Sequence, residues 1–101
     1  MKSLLLTDSR DIVTGLRLAG IMGIYCKDKN ILKEQFLKAS QDKDIGIIIL
    51  TAGSQREISK EVLQVKKEGM PLIVTIPDFK NDLEEDFIIK YIRNSIGIKI
   101  S

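Results

Sequence analysis

Ile45-Gly46-Ile47-Ile48-Ile49-Leu50 is the stretch that decides the fold. A strand with one wet face alternates apolar and polar residues, whereas this run is apolar on both faces. Both faces must therefore be covered, which is the condition of a central strand in a parallel sheet with helices on each side. Asp44 precedes the run and Thr51-Ala52-Gly53 follows it, so a polar start and a small-residue stop bound it as a strand.

Outward from this strand, apolar runs alternate with helical patterns. Upstream, residues 21–26 read as a strand that Gly23 weakens. Asn30 is placed to cap a helix whose inward stripe is Leu32, Phe36 and Ala39. Nearer the start, residues 3–7 form a first strand that ends in the polar turn Asp8-Ser9-Arg10, with Asp8 as a turn residue. Asp11 is expected to cap the next helix, because its carboxylate can accept from free N–H groups of the first turn. Ile12, Leu16 and Ala19 would face inward on that helix, and Gly20 suits its left-handed stop. Downstream, Ser54 or Gln55 opens a helix with Ile58, Val62 and Val65 inward, closed by Gly69. Residues 72–76 are a fourth strand, whose continuation Pro77 prevents. A last helix is expected over residues 82–96, stopped by Gly97.

The pattern is (βα)4, an α/β class fold. Strands separated by helices of this length imply right-handed crossovers and a four-stranded parallel sheet flanked by helices. A flavodoxin- or receiver-like, Rossmann-like winding would order the strands 2-1-3-4, by analogy with other folds of this kind. At 101 residues the chain is expected to be one domain, 1–101.

Charge and cysteine usage narrow the function classes. The net charge is +2, with Lys and Arg interspersed among Asp and Glu; a nucleic-acid binder concentrates positive charge, often beside stacking aromatics. No nucleic-acid partner is expected. No apolar run approaches the roughly 20 residues needed to cross a bilayer, and the run at the N-terminus is too short for a secretory signal. The expectation is a cytoplasmic chain that reaches a membrane only through a partner. Cys26 stands alone, in agreement with a reducing compartment.

The usual chemistries of small parallel α/β domains find no residues here. A receiver domain needs a phosphoacceptor Asp at the end of its central strand, and this one ends in Thr51. A nucleotide-binding fold needs glycine-rich backbone at the first strand–helix turn, where this chain has Asp8-Ser9-Arg10-Asp11. Cys26 lies at the end of the second strand and reads as a small core residue rather than a nucleophile. There is no His to serve as base or metal ligand. Glu84-Glu85-Asp86 reads as negative charge near a helix N-terminus. No catalytic, cofactor or metal site is expected.

The surface pattern points to docking instead. In the last helix Phe87, Ile88, Ile89, Tyr91, Ile92 and Ile96 span an arc of roughly 200°, against a stripe of about 100° for covering one sheet face. The flank bearing Phe87 and Tyr91 therefore has apolar area left over. Leu18 points away from the inward stripe of the first helix, with Arg17 on another polar flank.

Three segments carry a resemblance to a known family. Asp8-Ser9-Arg10-Asp11-Ile12-Val13-Thr14-Gly15-Leu16-Arg17-Leu18-Ala19-Gly20 resembles the acidic turn and Thr-Gly-aromatic-x-Leu-Ala-Gly helix of the F subunit of V/A-type ATPases. Asp44-Ile45-Gly46-Ile47-Ile48-Ile49-Leu50 resembles its central strand, and Pro71-Leu72-Ile73-Val74-Thr75-Ile76-Pro77 its Pro-bounded fourth strand. Leu16 departs from the usual aromatic, and the segment after Pro77 lacks the family's common Ser-Lys and Pro-Tyr.

The resemblance implies a non-catalytic central-stalk subunit, peripheral to the membrane and bound to the coiled-coil D subunit. The A/B catalytic head and the C subunit are further candidate neighbours. It would couple ATP hydrolysis or synthesis to proton or sodium transport. On this reading the contact candidates are Arg17, Leu18, Phe87, Tyr91 and Ile92, the aromatics being the stronger anchors. Asp8, Asp11, Gly15, Gly20 and Pro77 are assigned structural roles. The alternative is a stand-alone receiver-like phosphotransfer or signalling domain on the same fold.

Overall fold

A computed structural model describes residues 2–78. The chain runs β1 (Lys2–Thr7), α1 (Arg10–Leu18), β2 (Met22–Tyr25), α2 (Lys29–Ser40), β3 (Ile45–Thr51), α3 (Ala52–Glu57), α4 (Ser59–Glu68) and β4 (Leu72–Ile76). All neighbouring strands pair in parallel, in the order β2-β1-β3-β4. The expected strand order and class are thus those of the molecule. The helix expected over residues 82–96 lies outside the described residues.

Period-two alternation in β1 and β3 divides the core into two layers. Leu4, Leu6, Ile48 and Leu50 point to one face of the sheet and meet Leu32, Phe36 and Ala39 of α2 with Ile58, Val62 and Val65. Leu5 and Ile49 point to the other face, beneath Ile12, Val13 and Leu16 of α1, together with Ile76. The register sets these pairs side by side, with Leu4 opposite Ile48, Leu5 opposite Ile49 and Leu6 opposite Leu50. Ile48, Ile49 and Leu50 are wholly buried, as the unbroken apolar run requires.

Helix boundaries differ from the sequence expectation in ways that local hydrogen bonding explains. Asp11 does not cap α1. Ser9 does so from extended backbone, its hydroxyl accepting from Ile12 N at 3.3 Å, while Asp11 sits in the first turn, where its negative charge favours the helix dipole. Ala19 does not face inward. The helix ends at Leu18, and Ala19 is its exposed C-cap, so Val13 fills the layer with Ile12 and Leu16. Gly20 adopts φ 84°, the left-handed stop that was expected.

Asp28, not Asn30, caps α2, accepting from Ile31 N at 2.9 Å. The third helical segment is two helices. It starts at Ala52 directly from β3 and breaks at Ile58, which leaves helical geometry at φ −121°, ψ 39° and is fully buried in the core. Gly69 ends α4 at φ 85°. An ion pair of 3.4 Å links Lys33 of α2 to Glu61 of α4. The Glu61 carboxyl is held below its usual range, first by hydrogen bonding to its own backbone amide and then by Lys33.

In β2, Gly23 meets a need for close approach. A Cβ there would stand 3.1 Å from Leu5 Cδ2 and 3.4 Å from Val13 Cγ1, so α1 and β1 crowd the strand at that position. β2 is correspondingly short, with Ile21 and Cys26 outside its ladder.

Phe36 is the largest wholly buried side chain. Phe36→Ala is expected to remove about 3–5 kcal/mol of stability through lost burial and the cavity left behind. Urea unfolding of the variant beside the wild type measures it, with the midpoint moving and the slope unchanged.

Candidate partner-binding surface

In open α/β sheets, ligands bind outside the carboxyl ends of the strands, where the winding reverses. Here that point lies between β1 and β3, and the chain's own side chains fill it. Thr7, Thr51 and Ser54 are all buried. Thr51 Oγ1 donates to Ser54 Oγ at 2.9 Å and receives a longer contact of 3.5 Å from Thr7 Oγ1. Thr7 Oγ1 in turn accepts from Ser9 N at 3.2 Å. The hydroxyls satisfy one another across the strand ends, and no buried polar side-chain atom among the described residues lacks a partner.

The neighbouring turn is filled in the same way. Gly53 N donates to the Asp78 carboxylate at 3.1 and 2.9 Å, and Arg56 Nη2 lies 3.6 Å from Asp78 Oδ2. Thr75 Oγ1 donates to Gln55 Oε1. Position 51, where a receiver domain would carry its acceptor, is a buried threonine engaged in this hydroxyl chain. Asp8 lies exposed in the turn after β1. No group of three or more metal-ligating side chains occurs among the described residues.

Cys26 is buried just beyond β2, its backbone N donating to Thr7 O at 2.8 Å and its thiol 3.7 Å from Ile24 O. Burial pushes the thiol above its ordinary range, opposed by a backbone hydrogen bond from Thr7 and reinforced by the charge of Asp8. A thiol held protonated is a poor nucleophile, in agreement with its core reading.

Apolar surface lies elsewhere. Leu18, the last residue of α1, is 63% exposed, and Met22, the first of β2, is 67% exposed. A groove of about 530 Å³ at the amino-terminal ends of β1, β2 and β3 runs past Gly20, Ile21 and Met22. Arg17 is exposed beside Leu18 on α1. Farther along β2, the exposed Tyr25 ring carries the Arg10 guanidinium 4.8 Å from its centroid, a cation–π pair that covers part of the ring.

Of the contact candidates, Arg17 and Leu18 fall together on the exposed end of α1, whereas Phe87, Tyr91 and Ile92 lie outside the described residues. Among the structural residues, Gly15 is buried within α1, Gly20 closes it, and Pro77 follows the end of β4. Sequence reasoning missed Met22 and Asp78. The sequence reading starts that strand at Ile21 and assigns no face to its residues, and Asp78 acts on a turn 25 residues away.

Comparison with known proteins matches residues 4–94 to the family described as ATP synthase (F/14-kDa) subunit. The chain is similar to the F subunit of the A-type ATP synthase of Thermoplasma acidophilum, with 34% identity over 93 residues covering 90% of this chain and 88% of that protein. It is also similar to the corresponding A-type ATP synthase F subunits of two strains of Methanococcus maripaludis. One is 28% identical over 93 residues (89% of this chain, 90% of the relative) and the other 30% over 96 residues (89% and 90%). Among solved structures, a de novo designed Rossmann 2x3 fold protein overlays with a TM-score of 0.48 and 19% identity, covering 95% of this chain and 71% of that one. That overlay is too loose to bear on function.

The raised Cys26 pKa has a definite sign. An unfolded thiol ionises at about 8.5, and the native one ionises higher. The stability contributed by the buried neutral thiol is therefore full below the unfolded value and lost as pH rises through the native value. As pH rises from the unfolded value through the native one, urea midpoints are expected to fall more steeply in the wild type than in Cys26→Ala, and to run parallel below that window. Iodoacetamide should label the native thiol far more slowly than the unfolded one.

Proposed function

The chain belongs to the family described as ATP synthase (F/14-kDa) subunit, and on that premise we propose that it is a non-catalytic central-stalk component of a V/A-type rotary ATPase. Its partner is the coiled-coil D subunit, with the A/B head and the C subunit as further neighbours. As one domain over residues 1–101, it turns with the rotor and helps couple ATP hydrolysis or synthesis to proton or sodium transport. The observation that carries the reading is the family match over residues 4–94, nearly the whole chain.

The geometry supports a docking role. The strand-end crevice that binds ligands in related architectures is occupied by Thr7, Thr51, Ser54 and Asp78. Leu18 stands exposed beside Arg17 on a helix anchored below by Ile12, Val13 and Leu16. A rotor part must hold its axle under torque, and a contact mounted on a rigid helix does so better than one on a loop. Arg17 and Leu18 supply one part of the contact, and Phe87, Tyr91 and Ile92 supply aromatic and aliphatic anchors. No described helix is long and apolar enough to cross a membrane, and the proposed location is the cytoplasmic face, held to the membrane through the complex.

Co-expression with the coiled-coil rotor subunit of the same genome, followed by size-exclusion chromatography, is expected to give a one-to-one complex. Separate elution at micromolar concentrations overturns the proposal. Within the complex, Leu18→Asp and Tyr91→Ala are each expected to weaken binding by about tenfold or more while leaving the melting temperature of the isolated chain in place. A collapsed melting temperature would assign that residue to the core instead.

A further inference from the structure

We propose that Asp78 is a positioning residue that fixes how the chain leaves the sheet, tying the end of β4 to the first turn of α3. Both carboxylate oxygens converge on one backbone donor, Gly53 N, at 3.1 and 2.9 Å, and Arg56 Nη2 approaches Oδ2 at 3.6 Å. Pro77, immediately before, has its φ locked by the pyrrolidine ring, so the carboxylate hangs from a stiff link.

The turn opposite is shaped to receive it. A Cβ at Gly53 would stand 3.2 and 3.3 Å from the two carboxylate oxygens, which is tighter than ordinary contact, so a methyl group there would push the carboxylate off its present seat by a few tenths of an ångström. The strands beneath bring the two turns together, because Thr51 is the register partner of Ile76. The Arg56 side chain is 75% exposed and that of Asp78 43% exposed. The ion pair therefore adds little by itself, and the charge-assisted bond from the Gly53 amide is the stronger part of the tie.

The consequence rests on the stalk-component reading. A partner that grips side chains beyond position 78 meets them from a fixed point and direction only if residue 78 is held. A free swivel there would have to be ordered on binding, at a cost in affinity. Asp78 thus acts on partner binding through the geometry of the backbone rather than through contact.

Three variants of the full chain test this: Asp78→Ala, Asp78→Asn, and Gly53→Ala, which attacks the same contact from the other side. Hydrogen exchange at the position 53 amide and affinity for the coiled-coil rotor subunit are measured for each. Asp78→Ala and Gly53→Ala are expected to speed that exchange about tenfold and to weaken partner binding several-fold, with melting temperatures little changed. Asp78→Asn keeps an acceptor without the charge and should fall between. The double variant should be no worse than either single one, because both remove one contact.

Wild-type exchange in Asp78→Ala would show that the tie does not form and overturn the inference. Faster exchange with unaltered affinity would overturn the positioning role. If the wild type itself does not bind the rotor subunit, the stalk-component reading falls and takes the partner half of this inference with it, while the exchange measurement still decides whether the tie exists.

Discussion

The structure depends on β3 being buried on both faces and both edges. Its side chains anchor two separate apolar layers, and its backbone pairs with β1 on one side and β4 on the other. A strand so placed has no solvent-facing position to spare, which is why Ile47, Ile48, Ile49 and Leu50 can follow one another without a polar residue. The helices inherit their inward stripes from it. α2 and α4 close over Ile48 and Leu50, and α1 over Leu5 and Ile49. Each helix then needs only a narrow apolar stripe, which leaves its outer face free to vary with the partner.

The same architecture ordinarily offers a crevice at the carboxyl ends of its strands, and here it has been converted into structure. Three buried hydroxyls hydrogen-bond in series, and the adjacent amide is taken by a carboxylate from the end of the last described strand. Polar groups that in another member of the fold would meet a phosphate instead meet each other, so burial of their hydroxyls leaves no unsatisfied atom among the described residues. Among the described residues these polar groups are engaged with one another, while Leu18 and Met22 stand exposed.

Much of this was legible in the sequence where burial itself writes the pattern. The inward stripes Leu32/Phe36/Ala39 and Ile58/Val62/Val65 and the central strand follow from periodicity, whereas the strand order comes only by analogy with related windings. The exposure of Leu18 was legible from periodicity as well. The caps were not, because Ser9 and Asp11, or Asp28 and Asn30, are all competent cap residues, and shifting a helix start by one or two positions changes which is used. The early end of α1, which leaves Ala19 outside, is likewise a matter of one residue. The break at Ile58 and the seat of Asp78 on Gly53 depend on what lies across the sheet, and no local window contains that information.

The register of β1 also sets a schedule for folding. β1 lies between β2, which follows it closely in the chain, and β3, which begins at Ile45. During synthesis the unit β1–α1–β2 emerges with one edge of its first strand unpaired and its lower face, Leu4 and Leu6, bare until α2 and β3 arrive. Such long-range parallel pairing is slow relative to helix formation, and an unpaired apolar strand is a target for wrong partners. The shortness of β2 and the charge of Lys2 at the head of β1 limit what that exposed ribbon can recruit. The strand on which the finished domain most depends is thus the one whose late arrival makes the nascent chain most vulnerable.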